Sequence, residues 1–412
     1  MDATHEVPGS LHFGGMSDDE FRAFAESFDL FDPRVQQLDL SDFFARLRDQ
    51  CPIVKTTSRA GDVWMISRHD DLHQVMQRPA EYSNRVVVWP YDEAGQVLLN
   101  DDGERHRRLR QALAPLFTAQ RAEALAPYIR EVARRHAEAF RDAGAGEVVA
   151  DFARPIPNEV FLHTFGVDPT MLPTMIDAAD AAFHLPEGQT AAHRAYAGGA
   201  VVARYFDELV RERRASADPG HDMVGELVRL AVGDEQLSED ELVGLLTLLT
   251  AASLDTTASA FANMMAWLAM HPARRDELVA DASLIPGAVE ELLRYDQMTF
   301  NGRLVIRDTE LCGQPLRAGE RVMLANRAAG RDPRAFEDAD EVDFHRSPNR
   351  HLAFAVGPHR CIGMHLARIT LRVELEEWHR AMPRYALVPG TTPRRRLTML
   401  TTVTELHVAV TG

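Results

Sequence analysis

One cysteine stands in a setting that suits metal ligation. Cys361 follows the turn signal Gly357-Pro358, and the apolar run at residues 352–356 before that turn predicts a strand. Residues 362–382 have helical composition and spacing, so we expect the thiol to lie where a helix begins. The positive end of the helix dipole favours an anion, and the thiolate is the form of cysteine that binds metals.

The residues around Cys361 carry a longer pattern. A lone intracellular cysteine is most often buried and inert. Here the spacing Phe-x-x-Gly-x-His-x-Cys-x-Gly, filled by Phe354, Gly357, His359, Cys361 and Gly363, resembles the cysteine-ligand loop of the cytochrome P450 family. That family usually has Gly or Ser where this chain has Ala355. Gly363 lacks a side chain, which lets a flat and wide group approach the backbone.

A second stretch places one acid inside a long apolar helix. Ser238 and Glu241 form a capping box, and the helix is expected to run from there to Met270, about 48 Å at 1.5 Å per residue. Asp255 is the only formally charged residue between positions 242 and 273, and a buried carboxylate is costly unless it is bonded or needed. It could cap or bridge neighbouring elements. A membrane span is the other alternative, which the acidic start of the helix disfavours.

The residue after the acid adds to this interpretation. The Thr256 hydroxyl is expected to bond a carbonyl one turn back and to loosen the helix locally. Asp255-Thr256 matches the acid-Thr pair of the P450 family, which implies that both are catalytic groups in oxygen activation. Where that family commonly has Gly before the acid, this chain has Ala252 and Ser253, and Ser253 adds a hydroxyl to the groove.

The resemblance extends over residues 100–380 and assigns further positions. It implies that haem b (iron protoporphyrin IX) is ligated by Cys361, with its propionates on His106, Arg110, Arg303 and His359 and its surroundings completed by Phe354 and Gly363. Glu291-x-x-Arg294, with Arg346, matches the E-x-x-R element that holds the cysteine loop. Apart from the resemblance, a set of mainly apolar residues suggests a substrate pocket: Trp89, Tyr91, Phe183, Leu248, Ala252, Thr299, Phe300, Val305 and Met399. Trp89 and Tyr91 stand in a loop without regular period, and an ordinary surface loop that packs its aromatic side chains inward is an equal alternative for them.

The fold expected from this resemblance is mainly α with a smaller β region. One domain covers residues 1–412, with β-rich parts near 50–70, 300–325 and 385–410, and haem lies between the long helix and the helix after Cys361. The patterns themselves predict a hairpin of PIVKTT and DVWMIS, two helices in 168–215 joined by HLPEGQ, and a closing hairpin in 396–410.

Composition sets limits on partners and compartment. The formal net charge of −17 disfavours nucleic acid or an anionic membrane as the main partner. The three cysteines are too few for a disulfide framework, and the polar, acidic N-terminus shows no membrane anchor, so we expect a cytoplasmic protein. The arginines around His106 either form a solvated basic face or receive an acidic, ferredoxin-type electron donor.

The resulting hypothesis is a haem-thiolate monooxygenase that uses O₂, a small apolar substrate, and a ferredoxin supplied by an NAD(P)H-dependent reductase. One alternative is a haem-thiolate protein that does not use O₂, such as a peroxide-driven enzyme, an isomerase or dehydratase, or a sensor. The other is a haem-free helical interaction protein in which the motifs are accidental.

Overall fold

The computed structural model describes residues 13–30, 32, 35, 40–58, 61–86, 97–183 and 191–411, with the side chains of 14, 58, 181–183 and 191–198 left aside. Its α-helices in this part are α1 (Asp18–Glu26), α2 (Ser41–Gln50), α3 (His69–Gln77), α4 (Gly103–Leu113), α5 (Ala119–Ala143), α6 (Pro155–Phe165), α7 (Leu172–Phe183), α8 (Ala191–Ala215), α9 (Met223–Arg229), α10 (Glu239–Leu254), α11 (Thr256–Met270), α12 (Pro272–Ala280), α13 (Ile285–Tyr295), α14 (Asn326–Gly330) and α15 (Met364–Ala381).

The strands are fewer and shorter than the helices. They are β1 (Ile53–Ser58), β2 (Gly61–Ile66), β3 (Tyr82–Ser83), β4 (Ala145–Glu147), β5 (Ala231–Val232), β6 (Glu235–Gln236), β7 (Phe300–Val305), β8 (Thr309–Leu311), β9 (Gln314–Leu316), β10 (Arg321–Ala325), β11 (Tyr385–Leu387), β12 (Arg394–Leu397), β13 (Thr401–Glu405) and β14 (His407–Val410). The expectation of a mainly helical chain with a smaller β region is confirmed.

The larger sheet joins distant parts of the sequence. Its order is β1-β2-β10-β7-β3, with β10 parallel to β2 and the other pairs antiparallel. The predicted β1–β2 hairpin is confirmed. The closing segment was predicted as one hairpin, but only β12 and β13 pair with each other, whereas β14 joins β11 and β4 in a separate sheet.

The long helix is where the expected and observed elements differ most. The capping box of Ser238 and Glu241 is confirmed at the start of α10. Instead of running unbroken to Met270, the helix is interrupted at Asp255, which has φ −111° and ψ −35° and separates α10 from α11. In the described residues, Glu239–Met270 is the one segment with the length and composition of a membrane span, and half of its apolar window is buried inside the protein.

Two helical cores meet at this broken helix. One cluster of buried side chains joins α5, α11, α13 and α15, and a second joins α6, α8, α9 and α10. A third and a fourth cluster lie around the larger sheet. The α7 and α8 helices agree with the two helices predicted in 168–215, and the segment joining them lies outside the described residues.

Candidate active site

The segment before Cys361 is a compact loop. Residues 352–356 were predicted as a strand, which is wrong: a turn occupies Ala353 and Phe354, and Ala355 N donates to Leu352 O at 2.9 Å. Ala355 takes the left-handed conformation with φ +53°, which an extended strand cannot accommodate. The Cys361 N–H then donates to Phe354 O at 2.8 Å and closes the loop.

Gly357 brings this loop into close contact with α3. Its φ is +76°, and a Cβ there would lie 2.7 Å from Met76 O at the end of α3. Both the conformation and the close approach therefore require glycine. The α15 helix begins at Met364, three residues after the thiol, so Cys361 precedes the helix rather than opening it.

The Cys361 side chain faces an internal cavity. It is exposed, but its exposed surface lines a cavity of about 1600 Å³ within the protein. Burial raises the pKa of this thiol, opposed by the Gly363 N–H and by Arg110. Burial therefore acts against the bias toward thiolate that the helix start was expected to give. A bound metal ion deprotonates a coordinating thiol by its own charge.

Basic side chains from three elements converge near the thiol. His106 and Arg110 come from α4, Arg303 from β7 and His359 from the turn before Cys361, and all four line the same cavity. The ring of His106 stacks on that of His359 with centroids 4.0 Å apart, and Arg110 Nη2 donates to Arg360 O at 2.6 Å. Burial lowers the pKa of His106 to about 4.

Arg303 has a buried charge without a carboxylate in contact. It is 3% exposed, and its Nη1 donates to Gly302 O at 2.6 Å. Among the described residues, no carboxylate lies within ion-pair distance of it, and burial lowers its pKa to about 10. A buried guanidinium in this state is stabilised by an anion placed in the cavity.

Asp102 is a member of this cluster that the sequence did not reveal. Its carboxylate accepts hydrogen bonds from Ser83 Oγ at 2.5 Å and from His359 Nε2 at 3.1 Å. Burial raises its pKa, but the bonds from His359 and Ser83 outweigh burial and hold the pKa below its ordinary value. Asp102 occupies the N-cap position of α4, yet its side chain caps no helical N–H. Its position before a helix was the only sequence signal, and that signal predicts a cap.

The remaining arginines of α4 are paired on the surface. Arg105 contacts Asp101 at 2.5 Å and Glu241 at 3.0 Å, and Arg107 contacts Glu104 at 2.5 Å. The Arg108 guanidinium donates to Val232 O at 3.4 Å. Neighbouring carboxylates therefore reduce the positive charge of this face.

The acid-Thr pair lies at the break between α10 and α11. Thr256 Oγ1 donates to Ala252 O at 2.7 Å, which confirms the predicted bond one turn back. Asp255 is 4% exposed and lies 3.5 Å from Arg154 Nη2, which also contacts Asp180 of α7 at 3.0 Å. Ser253, Ala252 and Thr256 line the cavity that also contains Cys361.

A fully buried ion network supports the segment before the cysteine loop. Glu291 and Arg294 of α13 are 0% exposed and contact each other at 2.7 Å. Arg294 also donates to three carbonyls, of Gly330, Ala339 and Glu341, and Arg346 contacts Glu291 at 3.0 Å. Charged side chains are tolerated in this core because each is paired and bonded.

The structure places the predicted substrate residues unevenly. Leu248, Ala252, Thr299, Phe300 and Met399 line the cavity. Val305 does not: it lies two residues beyond Arg303 on β7, past the cavity edge, where it packs in the core with Tyr82. Trp89 and Tyr91 lie outside the described residues, as does the side chain of Phe183.

The residues present fit the expected haem. A Cβ on Gly363 would meet no atom within 4 Å, so the space above this backbone is open for a flat group. Phe354 lines the same cavity and is held by Arg368, whose guanidinium carbon lies 4.5 Å from its ring centre. No cluster of three or more metal-ligating side chains occurs in the described ranges.

Comparisons with known proteins agree with this geometry. The cytochrome P450 family model matches residues 35–378. The mycinamicin IV hydroxylase/epoxidase of Micromonospora griseorubida is 33% identical over 85% of this chain and 89% of its own length. The nocardicin C N-oxygenase of Nocardia uniformis is 32% identical over 94% of this chain and 99% of its own.

A solved structure has the same fold. The LnmA cytochrome P450 hydroxylase from the leinamycin biosynthetic pathway of Streptomyces atroolivaceus superposes with a TM-score of 0.82 at 30% identity. The match covers 92% of this chain and 98% of that one.

Proposed function

This chain belongs to the cytochrome P450 family, and we propose that this P450 monooxygenase activates O₂ with two electrons and oxidises a small, largely apolar organic molecule. In a hydroxylation, one oxygen atom enters a C–H bond of the substrate. The other leaves as water with two protons and the two electrons. The observation that supports the proposal most directly is that Cys361, the basic cluster and Thr256 all line one cavity.

Membership in the family brings a haem cofactor, and we propose haem b. Cys361 would ligate its iron, and the open space over Gly363 would receive the ring. Arg303, Arg110, His106 and His359 would hold its two carboxylates, because these side chains bring buried positive charge or N–H donors to one edge of the cavity. When bound, a thiolate-ligated haem supplies the oxygen chemistry itself.

The residues at the helix break would handle protons. The hydroxyl hydrogen of Thr256 is donated to Ala252 O, so the lone pairs of Thr256 Oγ1 remain to accept a hydrogen bond from a cavity water. Asp255, beside Arg154, would connect that water to the protein exterior and let protons enter. Ser253 offers a second hydroxyl in the same wall of the cavity.

The substrate class follows from the cavity and from the relatives. Leu248, Ala252 and Met399 present apolar surface to the bound molecule. Relatives are named for mycinamicin IV and nocardicin C, and we propose a natural product of that general kind for this chain. Electrons would come from a cytoplasmic ferredoxin that is reduced by an NAD(P)H-dependent reductase. The ferredoxin would dock near α4, although neighbouring carboxylates partly neutralise the arginines of that helix.

Substitution of two different cysteines tests whether Cys361 is the thiolate ligand. Cys361→Ala is expected to abolish the strongly red-shifted Soret band of the reduced carbon monoxide complex, because the sulfur donates charge to the iron. Cys312→Ala, which removes an exposed thiol elsewhere, should keep it. A colourless wild-type protein, or a red-shifted band that survives Cys361→Ala, would refute the assignment.

The use of O₂ is tested by electron coupling. Thr256→Ala is expected to keep the carbon monoxide band while diverting electrons from product to hydrogen peroxide. Thr250→Ala is a matched control, since the Thr250 hydroxyl bonds a carbonyl one turn back at 2.8 Å but stands six residues before Thr256. Full coupling in Thr256→Ala would exclude this distal role, and product formed only from added peroxide would favour a peroxide-driven enzyme.

A further inference from the structure

Two neighbouring polar residues form one part of the cavity wall. Thr299 and Asn301 stand at the start of β7 and both line the cavity, whereas Leu248 and Met399 present apolar surface to it. Behind the pair lies Asn326, the first residue of α14, which is 1% exposed. The sequence analysis placed Thr299 in the substrate pocket and did not single out the two asparagines.

The hydrogen bonds of Asn326 fix how the pair is oriented. Its amide nitrogen donates to Thr299 Oγ1 at 2.7 Å and to Asn301 Oδ1 at 2.9 Å. An amide nitrogen only donates, so both partners act as acceptors here. The Thr299 hydroxyl hydrogen and the Asn301 Nδ2 hydrogens must therefore point elsewhere. Among the described residues, neither of these two donors has an acceptor within hydrogen-bond distance.

Hydrogen-bond donors without an acceptor in a cavity wall determine which chemical groups of a ligand bind against them. An apolar group placed against them would strip their water without replacing the bonds, whereas an oxygen acceptor would restore them. We propose that Thr299 and Asn301 form a donor pair that recognises a carbonyl oxygen of the substrate, as in a ketone, ester or lactone, and that buried Asn326 sets its polarity. The inference rests on the proposed function, because it assumes that substrate occupies this cavity.

The test compares two probes that differ at one position. Cyclohexyl phenyl ketone and benzylcyclohexane share a skeleton, and a methylene replaces the carbonyl in the second. Affinities for the haem-loaded ferric protein are measured by equilibrium dialysis. Asn301→Leu and Thr299→Val are each expected to lower the ratio of ketone to hydrocarbon affinity by roughly tenfold, which is the worth of one hydrogen bond of ordinary strength.

The matched control is Thr247→Val. Thr247 also lines the cavity, but its hydroxyl already donates to Val243 O at 2.8 Å. Its loss should leave the ratio unchanged. A ratio that is the same in wild type, Asn301→Leu and Thr299→Val would overturn the inference.

A third substitution tests whether Asn326 is what makes Thr299 and Asn301 hydrogen-bond donors towards the cavity. In Asn326→Asp the buried side chain can only accept, so Thr299 and Asn301 Nδ2 turn towards it and the Asn301 carbonyl oxygen turns to the cavity. Binding should then shift from the ketone to the matching alcohol, cyclohexyl(phenyl)methanol. If the aspartate prevents folding, Asn326→Leu removes the orienting bonds and should reduce the ketone preference. A wild type that prefers the alcohol, or an unchanged preference in the variant that folds, would contradict the assignment.

These measurements separate two kinds of failure. Binding to the ferric protein needs neither O₂ nor an electron donor. A protein that shows the donor preference but no coupled turnover would refute the proposed activity alone. One that turns over substrates without regard to a carbonyl would refute only the donor pair.

Discussion

Ala355 carries a conformational cost at the centre of the cysteine loop. It is one of few described non-glycine residues with positive φ, at +53°, and it stands between the turn at Phe354 and Gly357. The left-handed conformation brings the Cβ of an L-residue close to the following carbonyl oxygen. The loop keeps this geometry because the Cys361 N–H bond to Phe354 O closes it.

Ala355→Gly is therefore expected to stabilise the protein. Removing the Cβ relieves a strain of about 1–2 kcal/mol in the folded protein. The greater conformational freedom of glycine stabilises the unfolded chain and offsets part of this effect, so the net stabilisation is about 0.5–1 kcal/mol. The free energy of unfolding by urea measures this. Ala353→Gly is the control: Ala353 has no positive φ, so that change should destabilise by a similar amount. A loss of stability in Ala355→Gly would show that the strain is not there.

Single residues were predictable from the sequence where they belong to a recognisable motif. Cys361 and Gly363 were located because the whole pattern lies within ten residues. Asp102 was missed because its partners, Ser83 and His359, are far apart in the chain and meet only in the fold. The same holds for Asn326, whose role depends on the pairing of β10 with β7.

The break between α10 and α11 ties the acid of the site to a neighbouring helix. Arg154 lies between Asp255 at the break and Asp180 of α7, and it contacts both carboxylates. The Asp255 side chain is 6% exposed, whereas those of Arg154 and Asp180 are about one-third exposed. Loss of the partner at the buried end of this bridge therefore costs more than loss at its outer end.

Arg154→Ala is expected to destabilise the protein by about 1–3 kcal/mol, because a nearly buried carboxylate loses a charged partner. Equilibrium urea denaturation gives the change in unfolding free energy. Arg135→Ala provides the comparison, since Arg135 pairs with Glu159 at 2.6 Å on the surface and such pairs are worth about 0–1 kcal/mol. Equal losses in both variants would mean that the Asp255 contact adds nothing.

Elements were predicted well where a local signal marks their ends. The capping box at Ser238 and the left-handed Gly144 after α5 are such signals, and both helices end or begin there. The failures came from tertiary context. An apolar run at 352–356 looks like a strand, but a turn and the left-handed Ala355 fold it into a loop against α3.

At the scale of the whole molecule, the core contains ionisable groups that no salt bridge explains. His379 of α15 is 5% exposed and bonds Leu375 O and Tyr385 Oη. Burial lowers its pKa from 6.5 to about 4, with a further contribution from Arg275. Glu374, one turn earlier, is fully buried, and neither of its oxygens has a hydrogen-bond partner among the described residues. Burial raises its pKa well above the ordinary value.

These two groups change stability in opposite directions as pH rises, and their pH ranges overlap above about pH 4.5. Below pH 6.5 His379 is protonated in the unfolded chain but stays neutral in the folded chain, so stability falls as pH drops from 6.5 to 4. Above about pH 4.5 the folded chain retains a proton on Glu374 that the unfolded chain releases, so stability falls as pH rises. The unfolding free energy should therefore be highest at an intermediate pH.

The acid side can be isolated with His379→Gln. Each unit between the folded and unfolded pKa is worth about 1.4 kcal/mol, so His379 accounts for a loss of about 3 kcal/mol between pH 6.5 and 4. Lost packing lowers the stability of the variant at neutral pH, but its unfolding free energy should fall less steeply towards acid. His345→Gln, which removes an exposed histidine and keeps the buried one, should follow the wild-type slope. If the unfolding free energies of His379→Gln and wild type fall in parallel towards acid, protonation of another group causes the loss. His106 would then be the next residue to substitute, because it is buried and its pKa is also lowered to about 4.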